Sequence, residues 1–126
     1  MKIVELLSRK NSDIYGTKPV TLAFLGDSVT QGCFEVFQVG ENGLDTVYDY
    51  EHVYHNKLKR MLNTLFPVAP LNMINAGIGG GSAPNGLERL ERDVLRFSPD
   101  LVVVCFGLND VHNGLGMVDV YTDALA

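Results

Sequence analysis

The chain is poor in positive charge and in long apolar runs. Ten Lys and Arg residues are outnumbered by fifteen Asp and Glu, giving a formal net charge of −5 over 126 residues. The cations are dispersed among acids, so no basic face is left to neutralise a phosphate backbone and nucleic acid is excluded as a partner. No apolar run approaches the roughly 20 residues that cross a bilayer, so no membrane partner is expected. The opening residues (MKIVELLSRKNSD) lack a long apolar segment ending in a small-residue cleavage site, and the chain is read as cytoplasmic. Only two cysteines occur; Cys33 follows a turn and Cys105 lies in an apolar run, so they read as two free thiols rather than a disulfide framework. Repeats, low-complexity tracts and compositional breaks are missing too, which leaves one domain over residues 1–126.

What is present is organised by three short apolar runs at residues 20–25 (VTLAFL), 71–75 (LNMIN) and 101–106 (LVVVCF), each bounded by Gly, Pro, Asp or Asn. Continuous rather than alternating apolarity, clearest in the third, predicts strands covered on both faces, as in a parallel sheet. Helical spacing lies between them. Over residues 50–65, Tyr50, Val53, Tyr54, Leu58, Met61, Leu62 and Leu65 share one face, with Thr46 and Asp49 as a capping box and Pro67 beyond the end. Over residues 83–97 the predicted stripe is Leu87, Leu90, Val94 and Phe97, capped by Ser82 and stopped by Ser98-Pro99-Asp100. The charged series Glu88, Arg89, Glu91, Arg92, Asp93 and Arg96 reads as the solvated face of that helix. Strand, helix, strand, helix, strand predicts an α/β chain: a flavodoxin-like three-layer α/β/α sandwich around a parallel sheet.

In such a sheet, ligands sit beyond the carboxyl ends of the strands. All three runs end in polar, glycine-rich sequence: Gly26-Asp27-Ser28-Val29-Thr30-Gln31-Gly32, then Ala76-Gly77-Ile78-Gly79-Gly80-Gly81-Ser82, then Gly107-Leu108-Asn109-Asp110. Acyl transfer requires a hydroxyl in a tight turn off a strand, and donors around the oxygen that becomes negative. Ser28 offers the hydroxyl. Its own N–H, an N–H near Gly80 and the Asn109 carboxamide offer donors from three loops, while Asp27 organises the turn.

These three blocks resemble those of the SGNH, or GDSL-like, lipases and acylhydrolases: GDSxTxG at Gly26–Gly32, Asn75-Ala76-Gly77-Ile78-Gly79-Gly80, and Gly107-Leu108-Asn109-Asp110. The resemblance runs from about Val20 to Val111. It implies Ser28 as nucleophile and Gly80 and Asn109 as oxyanion donors, with hydrolysis of carboxylic esters through an acyl-enzyme and neither metal nor cofactor. The GDSxTxG spelling further implies small acyl groups on sugars, such as acetyl esters.

The family's fourth element, Asp-x-x-His, is not matched after Asn109. Asp49-Tyr50-Glu51-His52 has the spelling but precedes the second block, so His52 is read as a solvated residue and His55 as a core-edge one. His112 is a candidate lining residue. Val118, Tyr121 and Leu125 begin a further amphipathic pattern that reaches Ala126 without a stop signal, so the chain is expected to be incomplete at its C-terminus. Alone it is expected to be inactive, and to pair with a second chain bearing Asp-x-x-His or with another copy of itself. The competing reading is a non-catalytic ligand-binding or interaction protein that keeps the fold without the base. A dinucleotide loop is disfavoured, because Gly77-x-Gly79-x-x-Ser82 lacks its third glycine and no acid ends the next strand.

Overall fold

The computed structural model describes residues 2–112 and 118–126, His112 by its backbone alone. In chain order these form helix α1 (Lys2–Ser12), strand β1 (Val20–Gly26), the single-turn helix α2 (Ser28–Gln31), strands β2 (Cys33–Val39) and β3 (Gly43–Tyr48), helix α3 (Tyr54–Leu65) and strand β4 (Leu71–Gly77). Helix α4 (Ala83–Asp93), a 3-10 turn (Leu95–Phe97), strand β5 (Leu101–Cys105) and helices α5 (Leu108–His112) and α6 (Val118–Leu125) follow.

Strand β1 is the centre of a three-stranded parallel sheet of order β4-β1-β5. Successive side chains enter opposite cores. Val20, Leu22 and Phe24 pack with Leu7 of α1, Leu71 of β4 and the α3 residues Tyr54, Leu58 and Leu62. Ala23 and Leu25 pack with Ala76 and Val94, flanked by Leu90 of α4. Burial on both faces is why β1 reads as one apolar run, and helices on both sides give the expected three layers. In register, Gly26 stands beside both Gly77 and Cys105. The three strands therefore end level, and their loops leave from one edge.

Four local expectations are corrected. Helix α3 begins at Tyr54, not Tyr50, and its N-cap Val53 makes no side-chain cap. Thr46 is taken up by β3, and Asp49 instead caps a turn, accepting from His52 N at 3.0 Å and meeting the His52 ring Nδ1 at 2.8 Å. Residues 33–48 form an antiparallel hairpin with no predicted counterpart. Strand β5 is covered less than its apolarity implies, since Val104 is 48% exposed.

The fourth correction concerns α4: Leu90 and Val94 of the predicted stripe pack on the sheet, but Leu87 and Phe97 are exposed, and Ala83, Gly86 and Arg89 are buried in their place. The reason is steric: a methyl group on Gly86 would stand 2.4 Å from the Phe106 ring, so the helix approaches closely on its small residues. That approach carries Arg89 inward rather than onto the solvated face. Its guanidinium is buried and donates to Ala76 O at 2.7 Å and Gly26 O at 2.9 Å. Asp93 meets it at 3.2 Å, and the Arg92 guanidinium beside Asp93, with help from Arg89, holds that carboxyl down at about 2.

Removing Arg89 strips two buried carbonyls of a charged donor. Arg89→Met should therefore cost about 2–4 kcal/mol in urea or thermal unfolding, against less than about 0.5 for the exposed Glu88→Ala. Equal losses would show that the buried bonds contribute nothing.

Candidate active site

The serine turn is built from its backbone outward. Asp27 caps α2, its Oδ1 accepting from Val29 N at 2.9 Å, and Ser28 is the first helical residue. One turn later the chain leaves through Gly32, in the left-handed region at φ +113°, whose N–H donates to Ser28 O at 3.0 Å. From below, buried Thr30 shares a hydrogen bond with the Tyr54 hydroxyl at 3.1 Å and receives His55 Nε2 on its carbonyl at 3.1 Å. Burial pushes the Tyr54 phenol up, against the opposing bond from Thr30, so it stays protonated at neutral pH. From the side, β4 meets the turn at Gly77, where a methyl group would stand 2.1 Å from Gln31 N and 2.5 Å from Thr30 C. Only glycine permits that approach of backbone to backbone.

The glycine loop is pinned on both sides of Gly80. Ile78 N donates to Gly26 O at 3.1 Å, Gly79 N to the Gln31 side-chain Oε1 at 2.6 Å, and Gly81 N to Ile78 O at 3.1 Å. Asn75 Nδ2 reaches back to Gln31 O at 3.1 Å. Gly80 itself has φ +74°, and its N–H is engaged by no described residue. The Ser28 N–H, at the start of α2, is likewise unengaged.

From the third loop, Asn109 Nδ2 donates to Gly81 O at 2.9 Å, which leaves its second hydrogen for a ligand. Buried Asp110 accepts from Ala83 N at 2.9 Å and so ties this loop to the start of α4. A methyl group on Gly79 would stand 3.2 Å from Gln31 Oε1, 3.4 Å from the Tyr48 hydroxyl and 3.9 Å from Ser28 Cβ. Ser28, the glycine loop and Asn109 thus meet at one end of the sheet.

No described histidine is bonded to Ser28. The His52 side chain is 63% exposed and paired with Asp49. His55 is buried rather than at the core edge, between Phe24 and Tyr54, and its Nδ1 has no partner. The His112 side chain lies outside the described residues. Among the described residues no group of His, Cys, Asp and Glu is arranged to hold a metal ion, and no helix is long and apolar enough to cross a membrane.

Three contributors were missed in sequence. Gln31 and Arg89 are polar residues on short or charged helical segments and carry no local cue. Tyr48 had one: Asn42-Gly43 between two apolar, β-prone stretches is a hairpin signal.

The architecture and loops define an α/β protein with a serine-bearing turn at the carboxyl edge of a parallel sheet. Residues 24–126 match the GDSL-like Lipase/Acylhydrolase family, and the chain belongs to that family, whose SGNH esterases share its fold. It is 30% identical over 90 residues to an acetylxylan esterase of Geobacillus stearothermophilus, covering 71% of this chain and 39% of that protein. A two-domain esterase active on acetylated mannans superposes with TM-score 0.64 at 29% identity, over 86% of this chain and 25% of that one. A lipase/acylhydrolase from Enterococcus faecalis gives TM-score 0.55 at 30% identity, over 73% and 40%. The chain thus spans less than half the length of each.

The Gln31 clamp has its own readout. Gln31→Ala should speed hydrogen exchange at the Gly79 amide by about tenfold or more, while Gln31→Glu, which keeps an acceptor oxygen, should restore most of the protection. Unchanged exchange in Gln31→Ala would mean the loop is held without it.

Proposed function

We propose that the protein is a serine esterase that removes small acyl groups, acetyl above all, from carbohydrates. The observation that carries this reading is the unengaged Gly80 N–H, in a loop pinned at Gly79 by the serine turn and at Gly81 by Asn109. Ser28 Oγ attacks the ester carbonyl. The oxygen that becomes negative is met by the Ser28 and Gly80 N–H groups and by Asn109 Nδ2, donors fixed before the reaction begins. The alcohol leaves, and water then releases the acid from Ser28. Proton transfer is assigned to the histidine of an Asp-x-x-His element outside these 126 residues, as the family resemblance implies. The acetylxylan esterase and the esterase active on acetylated mannans support the sugar ester as substrate.

The same proposal gives β5 a neighbour. Among the described residues it pairs only with β1, and Leu101 and Val104 are 37% and 48% exposed; an unpaired strand edge favours pairing. A polypeptide carrying the base, in the same chain or another, would lie there. These 126 residues alone should then associate in light scattering and hydrolyse esters only at background rate. A monomer with Ser28-dependent turnover would place the base within this sequence.

In the complete protein, Ser28→Ala should abolish turnover of acetylated xylan or mannan. Asn109→Ala should lower kcat by about 10²–10³ with little change in KM, the signature of a donor used in the transition state. Activity surviving in Ser28→Ala would remove the assignment. Intact sugar binding without any turnover would favour the non-catalytic reading instead.

A further inference from the structure

The hairpin that follows the serine turn is not a detour. Asp49 N donates to Gly32 O at 2.8 Å, which fastens the end of β3 to the glycine where α2 ends. The two residues flanking Asp49 are both tyrosines, and both are held at the serine turn. A methyl group on Gly32 would stand 3.4 Å from Tyr50 Cδ1, and the Tyr48 hydroxyl lies against Gly79, close to Ser28. Their rings are parallel to within 5°, with centroids 5.7 Å apart. Neither belongs to a core: Tyr48 is 36% and Tyr50 55% exposed. The Tyr48 hydroxyl has no hydrogen-bond partner among the described residues.

A flat, uncharged aromatic pair with a free hydroxyl at the reacting end suits a particular ligand. A pyranose ring presents C–H groups on its face and hydroxyls around its rim, so the face can lie on a ring while a rim hydroxyl bonds at its edge. A fatty acyl chain would make no use of the hydroxyl. We propose that Tyr48, backed by Tyr50, is the subsite for the sugar of an acetylated glycan and sets the preference for carbohydrate over simple alcohol esters. This rests on the esterase reading and adds a specificity-determining residue to it. Tyr48 holds the alcohol side of the ester, leaving the carbonyl to Ser28.

The test uses the complete protein with Tyr48→Leu, Tyr48→Phe and Tyr50→Ala, and two readouts. The first is binding of unacetylated xylo- and manno-oligosaccharides, followed by NMR titration, which needs no turnover. Tyr48→Leu should weaken binding of the preferred series about tenfold or more, Tyr48→Phe less because the ring remains, and Tyr50→Ala to an intermediate extent. The second is kcat/KM on the acetylated oligosaccharide against triacetin, a small ester without a sugar. The oligosaccharide value should fall through KM in Tyr48→Leu by about tenfold more than the triacetin value does. Unchanged binding in Tyr48→Leu, equal losses on both esters, or a wild-type preference for long acyl chains would overturn the proposal. Failure of the esterase reading looks different: oligosaccharide binding would still depend on Tyr48 while no ester is turned over.

Discussion

One buried cation governs the geometry on which the site depends. The Arg89 guanidinium joins Ala76 O and Gly26 O, carbonyls at the carboxyl ends of β4 and β1. The serine turn leaves from one and the glycine loop from the other. A guanidinium away from water is costly unless its donors are used, and here they are used on backbone atoms that fix the spacing of two loops of the candidate site. Helix α4 can deliver it because Gly86 lets the helix close on Phe106.

From that anchor the rest is a chain of backbone constraints. Gly77 admits the serine turn against β4, Gln31 takes up the Gly79 N–H, Asn109 takes up Gly81 O, and Gly80 is left with an unengaged N–H. Donors held by their neighbours need little rearrangement when charge develops, which is the physical basis of oxyanion stabilisation. The hairpin adds a second surface at the same turn, so on the proposed reading chemistry and recognition come from consecutive stretches of chain.

Much of this was legible in sequence because it depends on short-range composition. Strand β1 shows itself as an unbroken apolar run since both its faces are buried, and the three loops show themselves because turns and close approach restrict residue choice. What was not legible depends on where helices sit. Arg89 lies in a charged series that looks solvated, and only the close approach at Gly86 turns it inward. The start of α3 was misplaced because Tyr50 fits the helical period although it stacks on Tyr48 outside the helix. Asn42-Gly43 marked a hairpin, but Thr46 and Asp49 also fit a capping box, and the strand prevailed.

The central claim, that Ser28 is the nucleophile and that Ser28 N, Gly80 N and Asn109 Nδ2 bind the oxyanion, is tested most directly by a crystal structure of the complete protein inhibited with a small alkyl phosphonate. The account expects phosphorus bonded to Ser28 Oγ, and one phosphoryl oxygen about 2.7–3.1 Å from all three nitrogens. A phosphonate on another residue, or a phosphoryl oxygen turned to solvent away from Gly80 and Asn109, would contradict it.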